Sequence, residues 1–233
     1  MKGKRTGKGK EYYYTGTLKF EGEYRDGKKW NGKGFTPDGE ISYELKEGKG
    51  LVKEYDYDEN FEFEGEYNNG LREGKGKEYY FLNKLKYEGE YSNGKRNGKG
   101  IEYRYDNKTK FIGEFRDGKR WNGEGFNSKN IKIYYLENGK GKVKEYYLDN
   151  LELECDYLYG QKNGKFKQYN YYGNIYIEGE YSFDLINGNV KIYDNINRLS
   201  FEGVYLYGFK IKGKEYIDGI LEYEGDYMFE KKW

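Results

Sequence analysis

The chain has no histidine or alanine, only one cysteine and one proline, and no long apolar run. Without histidine the commonest general base and metal ligand is missing, and no Cys–His or Ser–His nucleophile pair can form. The single Cys155 excludes an internal disulfide framework. No segment approaches the length of a membrane-spanning helix, and the first residues lack the apolar core of a signal peptide. We therefore expect a soluble protein of the cytoplasm, either free or peripheral at a membrane or the cytoskeleton.

Tyrosine, glycine and balanced charge dominate what is present. The chain has 31 tyrosines and 35 glycines, and its 42 basic residues nearly cancel 41 acidic ones. A highly charged composition is typical of disorder, but rings this frequent bury area while keeping a polar tip in water. A thin structure with much surface fits both facts. The absence of a basic excess argues against nucleic acid as a partner.

One short sequence pattern recurs along the whole chain. FEGEYRDGKKWNGKGF at 20–35 returns at 111–126 as FIGEFRDGKRWNGEGF, with twelve of sixteen positions identical. The shared form is aromatic-Glu-Gly-Glu-Tyr, a Gly-containing turn, and Gly-Lys-Gly-x-Glu-Tyr. Further copies, some of them weak, start at 43, 63, 87, 133, 153, 177 and 201. Such self-similarity indicates a stacked repeat architecture.

The repeats predict one array over 1–233 with about ten members. A unit of about 90 residues is duplicated, as 20–110 and 111–200, and terminal repeats occupy 201–233.

Each repeat alternates with period two, which predicts strands rather than helices. Tyr87, Gly89 and Tyr91 point to one face, and Glu88 and Glu90 point to the other. Turn dipeptides such as Asn-Gly and Asp-Gly separate the two strands of each hairpin. The predicted fold class is all-β: an elongated, single-layer, twisted antiparallel sheet of stacked β-hairpins that forms a groove. One face carries rings resting on glycines, and the other carries cross-strand Glu–Lys pairs.

At these residues the chain resembles the MORN-repeat proteins. The family motif, roughly Tyr-x-Gly-Glu-Tyr/Phe-x-x-Gly-x-x-x-Gly-x-Gly, is matched almost fully by 87–100 and 63–76. The resemblance implies a twisted, groove-forming sheet of hairpins. It also implies a scaffold that pairs with other copies or docks partner segments in an aromatic groove, with phospholipid binding proposed as well. Leu45, Tyr135 and Cys155 replace motif glycines, so the groove should be less regular there.

No catalytic, cofactor or metal site is expected. Cys155 stands where other repeats have glycine, which indicates a small residue tolerated in a strand. The Gly-Lys-Gly elements lack the strand–GxxxxGK[ST]–helix context of a phosphate loop. Paired glutamates recur in nearly every repeat, as structural residues do and active sites rarely do.

The ring face is the main candidate for binding a protein partner, as a peptide or a helix. The alternative is that these rings are only the core of a thin sheet. The candidate residues are Phe20, Tyr24, Phe63, Tyr67, Tyr87, Tyr91, Phe111, Phe115, Tyr181, Phe201 and Tyr205.

Two charged patterns accompany the rings. By alternation Glu11, Glu78, Glu102 and Glu215 fall on the ring face, where they bond to tyrosine hydroxyls, are turned outward by a bulge, or form an acidic line that selects a basic partner. Basic turn residues form either an anionic-lipid strip or an ordinary solvated loop. These residues are Lys28, Lys29, Lys95, Arg96, Lys119 and Arg120.

The leading functional prediction is a non-enzymatic protein-interaction scaffold. Self-association into a homodimer is predicted through rings near the C-terminus, at Tyr223, Tyr227, Phe229 and Trp233. Peripheral binding to anionic phospholipid is the alternative, and binding to sugar or cell wall is a third possibility.

Overall fold

The computed structural model describes residues 3–228 and 231–232. Strands account for 71% of it. A single 3₁₀ turn, Phe81–Asn83, is the only helical segment in these residues. The prediction of an all-β protein built from antiparallel hairpins is confirmed.

The strands are short and follow one another with tight connections. In chain order they are β1 (Gly7–Tyr12), β2 (Leu18–Arg25), β3 (Lys28–Phe35), β4 (Ile41–Leu45), β5 (Gly50–Tyr55), β6 (Phe61–Asn68), β7 (Leu71–Tyr80), β8 (Lys84–Ser92), β9 (Lys95–Tyr103), β10 (Thr109–Arg116), β11 (Lys119–Phe126), β12 (Lys132–Leu136), β13 (Gly141–Tyr147), β14 (Asn150–Leu158), β15 (Gln161–Tyr169), β16 (Ile175–Ser182), β17 (Leu185–Ile186), β18 (Gly188–Tyr193), β19 (Leu199–Leu206), β20 (Phe209–Ile217), β21 (Ile220–Met228) and β22 (Lys231–Lys232).

The chain divides into two compact units, an N-terminal unit up to Gly118 and a C-terminal unit from Lys119. In the N-terminal unit β1–β4 pair in chain order, and so do β5–β10. In the C-terminal unit β11 pairs with β12. The remaining strands, β13–β16 and β18–β22, pair in order, with β17 beside β16. The predicted single array and its duplication at 110/111 stay a prediction.

The turn dipeptides adopt the conformation that a two-residue hairpin requires. At Asn93-Gly94 both residues have positive φ, 52° and 81°. Asp26-Gly27, Asn69-Gly70 and Asp117-Gly118 do the same. Turns with two left-handed residues match the right-handed twist of the flanking strands, and Asn, Asp and Gly tolerate that region best. The local sequence therefore sets the hairpin register.

Rings rest directly on the backbone of neighbouring glycines. A Cβ added to Gly89 would lie 2.4 Å from Tyr87 Oη and 2.6 Å from Gly100 Cα. A Cβ on Gly76 would lie 2.7 Å from the Phe63 ring. Gly76, Gly89 and Gly100 face one another across β7, β8 and β9. Any side chain at these positions would occupy the volume that the rings fill.

The prediction that Tyr135 replaces a motif glycine was wrong by one residue, because Leu136 occupies that position. Gly125 pairs with Tyr134 as Gly34 pairs with Tyr43, and Leu136 takes the place of Leu45. Leu136 and Leu45 are buried, whereas Tyr135 is half exposed on the other face. The segment IKIYYL has apolar residues at both parities, so alternation alone did not fix which face each residue takes.

Candidate functional site

The predicted partner-binding rings lie in the interior. Tyr67 is half-buried, and the other ten are buried at 9% exposure or less. They pack edge to face along the sheet, for example Tyr87 against Tyr91 and Phe115. The rings are therefore core residues of their units, and their role in partner binding stays a prediction.

Basic side chains from the hairpin turns cover the rings. Each lies two residues after the turn glycine and pairs across the hairpin with the next-to-last residue of the first strand, a tyrosine. Arg72 stacks its guanidinium 4.0 Å from the centre of the Phe63 ring. Lys29, Arg96 and Lys210 lie 4.2–4.9 Å from the centres of the Phe20, Tyr87 and Phe201 rings. Their regular spacing after each turn was visible in the sequence.

Each covering cation is held by glutamates that also face the rings. Arg96 donates to Glu78 at 2.6 Å and to Glu102 at 2.5 Å. Glu78 also accepts a hydrogen bond from Tyr91 Oη at 2.7 Å. Burial works to raise the pKa of Glu78, but the bond and the charge of Arg96 outweigh it, so this pKa lies below its ordinary value. Cation–π contacts and ion pairs thus close the ring face.

These contacts involve both the ring-face glutamates and the basic turn residues that the sequence singled out. The local tyrosine bond predicted for the ring-face glutamates is present at Glu78. Within the predicted lipid strip, Lys29 pairs with Glu11 and Arg120 with Glu145. Those two side chains, like that of Arg96, are at most 16% exposed. These three side chains are held by ion pairs within the protein, and binding of the strip to lipid stays a prediction.

The other half of the strip lies further out. Lys95 is exposed and is 3.8 Å from Asp117. Lys28 and Lys119 are half-buried and lie against turn glycines Gly70 and Gly160.

An open groove lies on the opposite face of the sheet in each unit. In the N-terminal unit it has a volume of about 930 Å³. In the C-terminal unit the volume is about 1050 Å³. We call each of these a charged groove, because lysines and acids line it over a floor of main chain.

The floor of each charged groove is a row of positions whose side chains point to the rings. In the N-terminal unit the row runs through Gly65, Gly76, Gly89 and Gly100, which pair in register. In the C-terminal unit valine, cysteine and phenylalanine occupy some of these positions, yet they too are buried on the ring side. The groove therefore meets backbone at every strand.

Charge along the groove changes sign at every strand. The acidic pair Glu178 and Glu180 on β16 lies beside the basic pair Lys165 and Lys167 on β15. The same order of basic and acidic strands holds through the lining of β13–β21: Lys142, Lys144, Glu154, Asp156, Lys191, Glu202, Lys212, Lys214 and Glu224. The sequence indicated these cross-strand pairs but placed the predicted groove on the ring face, because alternation does not show which face of the sheet curves inward.

Tyrosine hydroxyls hold a glutamate on five of the acidic strands. Tyr103 Oη donates to Glu88 at 2.5 Å, and Tyr169 Oη donates to Glu154 at 2.8 Å. Tyr79, Tyr193 and Tyr216 make the equivalent bond in their repeats. These tyrosines are the last or next-to-last residue of the second strand of a repeat, so each bond ties that strand to the first.

The structure also locates Cys155 and some of the residues predicted to mediate self-association. Cys155 is buried in the floor row of β14, and burial raises its thiol pKa to about 12. Tyr227 is buried between the rings of Phe201 and Tyr223. Phe229 and Trp233 lie outside the described residues.

Comparison with known proteins gives one family. The model of the MORN repeat matches residues 1–18, 63–81, 87–109 and 111–122. No curated protein matches the chain. Nowhere in the described residues is there a helix long and apolar enough to span a membrane. The match therefore shows MORN repeats in several segments of this chain, where the structure has hairpins whose rings rest on glycines.

Proposed function

We propose that the protein is a non-enzymatic scaffold that docks a segment of a partner protein in its charged grooves. MORN repeats are generally associated with protein and membrane interactions, and the family is non-enzymatic. The observation that carries the proposal is a concave, open surface of about 930–1050 Å³ in each unit. Small-molecule sites are concave and largely pre-formed, and grooves on proteins dock helical or extended segments of partners.

A docking surface on the ring face itself would require the ion pairs to open first. Separating Arg96 from Glu78 and Glu102 would leave three charges with low exposure. Leaving such charges unpaired is costly. The groove side needs no such rearrangement, and it is therefore the favoured surface for a partner.

Selection of random peptides displayed on phage against the full chain tests this proposal. Binders should lose affinity when a groove is filled, by Lys165→Trp in the C-terminal unit or by Lys75→Trp in the N-terminal unit, both at exposed groove positions. Tyr171→Trp is the matched control, since Tyr171 lies in an exposed turn.

Two results would contradict the proposal. One is that no peptide is selected; the other is that binding ignores both groove variants. Vesicles of anionic phospholipid test the membrane alternative. Binding that survives the groove variants but is lost in Lys95→Glu would favour the membrane role.

Self-association is a further part of the proposed scaffold role. Among the described residues, β21 pairs with β20 over Ile220 to Asp226 and with β22 at Tyr227 and Met228. Ile220, Leu221 and Met228 on this strand are 47–73% exposed. A strand edge with exposed apolar side chains is a template for pairing with another chain.

A further inference from the structure

We propose, building on the docking role above, that the charged grooves bind α-helices of a partner whose groove-facing surface alternates in charge sign from turn to turn. The occupant is a helix with small side chains on its contact face, flanked by acidic and basic residues in alternate turns. It is distinguished from an extended peptide and from a uniformly charged partner by three features of the groove.

The first feature is the period of the charge bands. Each strand of the C-terminal groove contributes one sign, as Lys165 and Lys167 on β15 and Glu178 and Glu180 on β16 do. With strands about 4.8 Å apart, equal signs recur about every 9.6 Å along the groove. Seven residues of an α-helix rise about 10.5 Å, whereas an extended chain repeats its side chains about every 6.8 Å. The spacing between strands of like charge is therefore close to the rise of two helical turns, and it differs from the side-chain repeat of an extended chain.

The second feature is the balance of charge. Seven lysines and six acids line the C-terminal groove, and four lysines and four glutamates line the N-terminal one. A uniformly acidic or basic partner would meet as much repulsion as attraction. A partner that alternates in phase with the bands would meet attraction at every strand. Arranging like charges against the wrong partner is a general source of specificity.

The third feature is a set of unpaired lysines on one wall of the groove. Each wall is the row of charged side chains on one side of the floor. Lys77 and Lys144 on the other wall pair with Glu64 and Glu154. Within the described part of the chain, no ion pair is formed by the exposed lysines of the first wall, namely Lys75, Lys99, Lys142, Lys165 and Lys212. Their ammonium groups are the donors that acidic residues in every second turn of a helix would meet.

The floor sets the size of the residues that can face it. The two walls arise from positions two residues apart on each strand, about 6.8 Å along the strand. Between them lies only main chain, so a helix with alanine, glycine or serine on that side approaches most closely. The eight strands β13–β16 and β18–β21 span about 34 Å, which a helix of about 22 residues covers.

The test uses two synthetic helical peptides of about 22 residues and identical composition, a length set by the groove. In the first, lysine and glutamate alternate turn by turn along one alanine face. In the second, lysines and glutamates are segregated to opposite faces. Dye-labelled peptide is titrated with the full chain, and binding is followed by fluorescence anisotropy. The alternating peptide should bind about tenfold tighter, since several exposed pairs of modest strength add.

A charge swap tests the wall lysines. Lys165→Glu should weaken the alternating peptide severalfold, and a peptide with the facing glutamate changed to lysine should recover the loss. Lys129→Glu is the control, with the same charge change in an exposed turn outside the groove. Circular dichroism of each variant checks that the sheet is intact.

The outcomes separate this inference from the docking role. Equal binding of the two peptides, or no binding of either, overturns the alternating-helix proposal. Tighter binding of an extended peptide with the same charges and added prolines also overturns it. If Lys165→Trp abolishes the binding of that extended peptide, docking of a segment in the groove is still supported. Failure of the phage selection as well would remove the docking role itself.

Discussion

Two residue types decide the interior of this protein, glycine in the strands and the basic residue after each turn. Glycines 76, 89 and 100 leave the volume that the rings of Phe63 and Tyr87 fill. Arg96 and its counterparts then close the rings from the other side. The aromatic core is thus held between main chain and a layer of ion pairs.

Gly89→Val should destabilise the N-terminal unit by about 1–3 kcal/mol, as overpacking does. The new side chain would collide with Tyr87 Oη and with the backbone of β9. Urea unfolding measures the loss, and hydrogen exchange should show it in β7–β10. Glu90→Val is the control, since it adds the same residue to an exposed position on the same strand. An unchanged midpoint for Gly89→Val would refute ring-on-glycine packing.

Arg96→Met should cost about 3 kcal/mol, because Glu78 and Glu102 would be left as partly buried, unpaired acids. Adding Glu78→Gln and Glu102→Gln should recover part of that loss, since no unpaired charge then remains. Chemical denaturation of the series measures it. A triple variant less stable than Arg96→Met would show that the pairs act by something other than mutual neutralisation.

The pKa of Glu78 predicts an acid-sensitive core. Its folded-state pKa lies below the ordinary 4.5, so its contribution is present above that value. Stability should fall as pH drops below 4.5 and through the folded pKa. In Glu78→Gln that fall should be shallower. Denaturation midpoints between pH 7 and pH 3 test this, and parallel curves for the two proteins would contradict it.

At the scale of the element, each repeat is a hairpin whose register is set twice. The Asn-Gly and Asp-Gly turns fix it at one end, through paired left-handed residues. At the other end a tyrosine hydroxyl reaches across to the glutamate of the first strand, as Tyr103 does to Glu88. The bond also holds the acidic band of the groove in place.

Tyr103→Phe should cost about 1 kcal/mol at pH 8, the usual value of one hydrogen bond. Burial, followed by the bond to Glu88, raises the pKa of Tyr103 from 10.0 to about 12. A raised folded pKa stabilises below pH 10, and that stability is lost as pH rises toward 12. Unfolding midpoints from pH 8 to 12 should fall less steeply in the variant. Tyr172→Phe, at an exposed turn, should match the parent protein.

At the scale of the whole molecule, we expect self-association through the edge of β21. Light scattering at tens of micromolar should give twice the chain mass of 27.8 kDa. Leu221→Lys should return the mass to that of one chain, because charge on a strand edge opposes pairing. Leu148→Lys, at a comparably exposed turn, is the control. If the parent protein is already monomeric, the proposal for β21 is wrong.

The sequence by itself determined the hairpins, their turns, the alternation of faces and the MORN-repeat motif, because each depends on the spacing of a few residues. The period of two separated rings from charges, and the dipeptide Asn93-Gly94 predicted a turn with two left-handed residues. The sequence could not decide which face of the sheet would be open to a partner. Tyr87 and Phe63 were candidates for an exposed groove, and Arg96 for a lipid contact, because hairpin alternation does not say what lies above a ring.

Only the tertiary structure placed those side chains together and left the opposite face concave. Pairing of the strands brings Arg96 back over Tyr87, with glutamates from two strands to hold it. Curvature of the stacked hairpins then decides the surface that a partner meets. That surface is the sum of many small twists and bulges, which no single repeat contains.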